Sequence, residues 1–187
     1  VPQTLLKLRP GHDICVLELG TNHRGEIRSL AAIARPTIAV LTNIGASHLE
    51  FLKDLQGVYE EKKDVLKFLD RKEGLVVLNG DDGFLSRIKG PRSRVVRYGL
   101  KKSNNVSADI VSTDKDRIAC LLNGKEGIDL NLLGVHNVYN ALAAIAVADH
   151  FKIGHGHIRK ALAAFRPTGM RLNLISAGPV EIINDSY

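Results

Sequence analysis

Lys62 falls on the apolar side of its own helix, and a charge placed there asks for a chemical explanation. The segment Gly57–Asp70 (GVYEEKKDVLKFLD) reads as an amphipathic helix. With about 100° between successive residues, Val58, Val65 and Leu69 form one stripe; Lys62 falls inside it and Lys63 outside. An inward ammonium is costly unless it is paired, neutralised or chemically altered. The plainer outcome is an amine that snorkels to water along its own methylenes.

Other residues of catalytic type follow apolar, strand-like runs. Glu18 ends the run Ile14–Leu19 (ICVLEL), where a carboxylate can hold magnesium against nucleotide phosphates or simply brace a loop. His48 lies in Thr42–His48 (TNIGASH), beyond a second run; alone it reads as a hydrogen-bonded loop residue, and beside Glu18 and Lys62 as a metal ligand. His136, Asn137 and Asn140 open a later helix. Asn137 and Asn140 stand one turn apart, and their amides offer the donor and acceptor that an adenine edge requires. The alternative is that one of them caps the helix. Arg171 suits a phosphate or bulk water, and Asp185 suits ribose hydroxyls or a turn. Asp81-Asp82 reads as a turn and helix cap rather than a paired-carboxylate site.

Composition bounds these readings. The 187 residues suffice for a domain with a real core, and 44% hydrophobic with 25% charged residues is ordinary for a soluble protein. No apolar run approaches the ~20 residues of a membrane span, and no signal peptide opens the chain. Cys15 and Cys120 sit in apolar runs, so both are expected as buried free thiols in a reducing cytoplasm. The net charge of +6 favours anionic partners. The basic clusters Lys89–Arg97 and Lys101-Lys102 lack interleaved aromatics, which argues against nucleic acid.

The elements that must position these residues follow from pattern. Ile14–Leu19, Thr37–Thr42 and Leu75–Leu78 read as buried parallel strands, with helices at Glu26–Ala34 and Gly57–Asp70 between them. This alternation predicts an α/β fold: a mostly parallel sheet flanked by helices, with ligands at the carboxyl ends of the strands. Residues 95–132 read as a small antiparallel or mixed β extension. Its strands are Arg94–Tyr98, Ala108–Ser112, Arg117–Leu122 and Gly127–Leu132, with a hairpin at Asn123-Gly124. Helices at Asn137–Phe151 and His157–Phe165 follow, then a strand at Val180–Asn184. Val1–Arg9 shows no convincing element and the last strand stops abruptly, so a piece of a longer protein is expected. The phosphate-cradling pattern G-x-x-x-x-G-K-S/T occurs nowhere, and the chain alone is expected to bind ATP poorly.

Three segments together, Glu18–Ile27 (ELGTNHRGEI), Leu133–Ala144 (LGVHNVYNALAA) and Ile183–Tyr187 (INDSY), resemble the central ATP-binding domain of the Mur ligases. The resemblance runs nearly end to end, and Glu18–Ile27 is most like the members that add D-alanyl-D-alanine to a UDP-N-acetylmuramoyl-tripeptide in peptidoglycan synthesis. It implies a P-loop NTPase-like fold and an ATP-dependent ligase, monomeric and cytoplasmic. It also implies a phosphate loop, a UDP-binding domain and a C-terminal ligase domain outside this chain, and therefore an inactive isolated chain. By the same resemblance Glu18 ligates one of two Mg2+ ions and His48 the second, which a carbamylated Lys62 supports. His136, Asn137 and Asn140 hold adenine, Arg171 the terminal phosphates and Asp185 the ribose. Two other outcomes stand beside it: a related ligase that extends folate or polymerises amino acids, and a non-catalytic binding module with an ordinary lysine at 62.

Overall fold

The structure is a computed structural model, described for residues 1–70, 72–89, 94–114, 117–166, 173–178 and 180–184. The chain divides into two compact units, Val1–Arg97 and Tyr98–Tyr187. Both are α/β in composition.

The first unit opens with one turn of helix, α1 (Pro2–Leu5), and then runs without regular structure to α2 (Glu26–Ala34). Helix α2 has the bounds its pattern predicts. Arg35 ends it in the left-handed conformation, and Pro36 forbids a further turn. Strand β1 (Ile38–Leu41) pairs in parallel with β2 (Leu75–Asn79), in register from Ile38 with Leu75 to Leu41 with Leu78. Between them lie α3 (Leu49–Leu52), α4 (Leu55–Lys63) and a 3-10 turn at Asp64–Phe68. Every residue of β2 is buried, as a strand covered on both faces must be. Its Val76 and Leu78 join Ala39, Leu41, Leu69, Leu85 and Ile88 in the core of this unit.

Three expectations fail here. Ile14–Leu19 is not a strand; Ile14 and Val16 stand 54% and 87% exposed, and Cys15 is an exposed thiol. Apolar composition makes a segment fit to be buried, but a strand exists only through a ladder partner, and no described strand supplies one. The helix expected over Gly57–Asp70 begins earlier, at Leu55, and tightens into the 3-10 turn after Lys63.

Its start is fixed by Asp54, whose Oδ1 accepts the Gly57 N–H at 2.7 Å. Gly57 is obligatory for a different reason: a Cβ there would collide with the Leu52 carbonyl oxygen, in the last turn of α3. Alanine gains roughly 1 kcal/mol of helix propensity over glycine. It cannot offset a backbone collision, so Gly57→Ala is expected to destabilise the unit by about 2 kcal/mol net. A urea midpoint equal to or above that of the parent would contradict this.

Strand β3 (Arg94–Gly99) begins in the first unit and ends in the second. Within the second unit its last residues pair in parallel with β4 (Val106–Thr113), from Tyr98 with Val106 to Gly99 with Ser107. Strands β4, β5 (Ile118–Leu122) and β6 (Glu126–Leu130) form an antiparallel meander. The β5–β6 turn is the expected one: Asn123 and Gly124 both have positive φ, 49° and 68°. Cys120 is buried in β5, and burial raises its thiol pKa. Helix α5 (His136–His150) packs on β4 and buries Val138, Leu142 and Ile145. Helix α6 (His155–Ala164) packs on β6. The chain ends in an antiparallel pair, β7 (Asn173–Ala177) and β8 (Val180–Asn184), of which only the second was expected from pattern.

Candidate functional site

In the first unit, the loops that follow the carboxyl ends of β1 and β2 are sewn together by side chains. Asn79 Nδ2 donates to the Thr42 carbonyl at 2.9 Å. Asp82 Oδ1 accepts from the N–H groups of Phe84 and Leu85, the turn-capping role expected of it, at 2.8 and 2.9 Å. Its Oδ2 reaches back across the rim to the Ile44 N–H at 2.8 Å. One carboxylate thus fixes both loops.

Lys62 meets this rim from α4. Its side chain is half-buried, and Nζ donates to the Asn43 carbonyl at 2.9 Å. Burial lowers its pKa, and the nearby Asp82 charge opposes that shift. A carbonyl and a carboxylate are partners for an ammonium. Lys63 is placed differently: it pairs with Glu60 at 2.7 Å and lies over the Tyr59 ring, and its pKa is raised chiefly by Glu60.

The most deeply buried charge on α4 is neither lysine. Glu61 is 5% exposed, and its carboxylate accepts from the Gly25 N–H at 2.8 Å, the Ile27 N–H at 2.9 Å and the Thr21 hydroxyl at 3.4 Å. It caps α2 from another helix, where the positive end of the helix dipole also favours it. Glu26 holds the preceding turn, with Oε2 accepting from the N–H groups of Asn22 and His23 at 2.6 and 2.9 Å. Those bonds pull its pKa down to about 2 from an ordinary 4.5. A depressed carboxylate contributes stability that is complete above 4.5 and lost as pH falls toward 2. Glu26→Gln is therefore expected to flatten the acid-unfolding curve across that window, which circular dichroism against pH would show.

The segment bearing Glu18 leads to the His23 ring, which lies 4.1 Å from that of Phe51 in α3. His48 is the N-cap residue of α3, exposed and in the left-handed conformation at φ 56°. Glu18 is exposed in the irregular stretch before Thr21. Among the described residues no three His, Cys, Asp or Glu side chains converge on a metal position. A single carboxylate still fits magnesium, which keeps most of its waters and takes further oxygens from substrate phosphates. The His48 imidazole is a poorer match for that ion.

In the second unit, α5 opens at Val135 without a side-chain cap, so neither asparagine caps it. Instead Asn137 Nδ2 donates to the Leu133 carbonyl at 2.7 Å, and Asn140 Nδ2 to Asn137 Oδ1 at 3.1 Å. Asn140 and His136 are exposed and Asn137 is half-buried. The Asn140 carbonyl oxygen can still accept from a donor such as an exocyclic amine. Arg171 and Asp185 lie outside the described residues.

Residues 1–148 match the model of the Mur ligase middle domain. The chain belongs to the Mur ligase family. Over its whole length it is 34% identical to the UDP-N-acetylmuramoyl-tripeptide--D-alanyl-D-alanine ligase of Bacillus subtilis, of which it covers 41%. All of it superposes on 42% of the crystal structure of MurF from Acinetobacter baumannii, with a TM-score of 0.92 at 28% identity. The Thermotoga maritima MurF, solved with ADP, shares the fold at a TM-score of 0.87 and 22% identity, with 44% of that chain covered. The chain thus spans about two fifths of the length of these Mur ligases. Among its described residues, no helix is long and apolar enough to cross a membrane.

Sequence reasoning missed Glu61, Asn43 and the reach of Asp82 to Ile44. Glu61 was findable, since Val58, Glu61 and Val65 recur at i, i+3 and i+7. The carbonyl of Asn43 carries no signal in the sequence.

Proposed function

We propose that the whole protein is an ATP-dependent amide ligase joining D-alanyl-D-alanine to a UDP-N-acetylmuramoyl-tripeptide in peptidoglycan synthesis, acting as a cytoplasmic monomer. The observation that carries this reading is the Lys62 amine held at a rim braced by Asp82 and Asn79. Identity of 34%, along the whole of this chain and 41% of a ligase of that name, supports the choice of substrates.

In this reading the tripeptide carboxylate attacks the γ-phosphorus of ATP, the bond to ADP breaks, and an acyl phosphate forms. The dipeptide amine then adds to the acyl carbon, and phosphate leaves as the amide closes. Lys62 neutralises charge on the phosphoryl oxygens from a fixed position and needs no reorganisation to do so. His136, Asn137 and Asn140 hold the adenine edge, Arg171 the terminal phosphates and Asp185 the ribose. Glu18 would hold one Mg2+ ion and His48 the second, and magnesium bound there would supply charge neutralisation at the transferring phosphoryl group.

A carbamate on Lys62 would turn anionic oxygens toward the Asn43 carbonyl and Asp82, so it needs a bound cation to form. Intact-mass spectra in bicarbonate without divalent metal are expected to show no carbon dioxide adduct that a Lys62→Arg variant abolishes. Such an adduct would establish the carbamate as the resting form.

The function is tested on the whole protein by ADP release, which should require both the nucleotide tripeptide and D-alanyl-D-alanine. Turnover with glutamate in place of the dipeptide would select the folate-extending class instead.

A further inference from the structure

The second unit holds a histidine whose two ring nitrogens both meet carboxylates. His155 opens α6; its Nδ1 lies 2.7 Å from Glu126 Oε2 at the start of β6, and its Nε2 lies 3.0 Å from Asp149 Oδ1 near the end of α5. An ionised carboxylate only accepts, so satisfying both contacts requires a hydrogen on each ring nitrogen. Only the imidazolium has both. The neutral ring would set a lone pair against one of the two carboxylate oxygens.

The segment that this arrangement bridges is tied to the end of α5 by the N–H groups of Phe151, Lys152 and Ile153, but its side chains are poorly buried. Between α5 and α6, Phe151 and Ile153 stand 45% and 42% exposed, and Lys152 takes a left-handed φ of 56°. We propose that His155 is a protonation-operated clasp: charged, it ties β6 and the end of α5 to the start of α6, and neutral, it lets one of them go.

The other titratable groups on the packed elements are engaged elsewhere or lie further along. Asp129 of β6 pairs with Arg117 at 2.6 Å, and the His150 ring of α5 meets Phe151 edge-on at 5.3 Å. His157, Arg159 and Lys160 follow along α6. The hydrogen bond to Glu126, aided by the Asp149 charge, raises the His155 pKa above its ordinary 6.5. For a raised histidine the stabilisation is complete below 6.5 and disappears as pH climbs through the folded value.

The test is a side-chain 15N–1H titration of the 187-residue chain between about pH 5 and 9, with amide exchange followed across the same range. The His155 pKa is expected above 6.5, and Glu126→Gln and Asp149→Asn should each lower it. After correction for intrinsic rates, exchange at Phe151–Gly154 should accelerate several-fold through that titration in the parent and show no such step in His155→Gln. A pKa at or below 6.5, indifference to both carboxylate variants, or the same exchange step without the histidine would each overturn the clasp.

Discussion

Replacing Lys62 with alanine in the whole protein is expected to lower kcat for ADP release by about a hundredfold or more, the scale on which a fixed charge at a developing oxyanion acts. Stability should hardly change, because the amine gives up one hydrogen bond to a backbone carbonyl that water can reach. Lys62→Arg should not restore the rate. A planar fork cannot reproduce a compact ammonium placed 2.9 Å from the Asn43 oxygen. Lys63→Ala is the internal comparison, since that amine is engaged with Glu60 and the Tyr59 ring. Steady-state rates with urea midpoints for the three variants separate the outcomes. If Lys62→Ala turned over within a few-fold of the parent while Lys63→Ala did not, the assignment would pass to the neighbour.

The other large effect belongs to stability. Glu61→Ala strips the acceptor from two backbone N–H groups, at Gly25 and at the buried Ile27. Each buried donor left unpaired costs about 1–3 kcal/mol, so a loss of roughly 3 kcal/mol or more is expected. For a chain of this length that corresponds to a fall in Tm of about 10 °C. Glu61→Gln should lie between, because it keeps one acceptor oxygen but turns a donor toward other donors. A thermal melt in which alanine and parent coincide would show that α2 is capped in some other way.

Pattern served well where local chemistry decides the outcome. Helix α2 ends where Pro36 allows, and Asn123-Gly124 turns as two residues tolerant of positive φ should. It failed where the deciding partner is distant in sequence. Ile14–Leu19 has the composition of a strand and none of the pairing. On α4, periodicity drew attention to Lys62, yet the deeper inward charge is Glu61, one position earlier. A stripe wide enough to pack a helix admits both residues, and only the acceptor-poor start of α2 says which of them is needed inside. Cys15 and Cys120 sit in similar runs, and tertiary pairing alone separates the exposed thiol from the buried one. Asn137 and Asn140 were legible as a pair, but their bond to each other was not.

The cap on α2 reaches its acceptor 36 residues downstream from Gly25 and 34 from Ile27. During synthesis the amino-terminal end of that helix must therefore wait, its amides solvated, until α4 has emerged and docked. A helix of nine residues is too short to persist alone, so α2 and the interior it packs on should mature together, once α4 has docked.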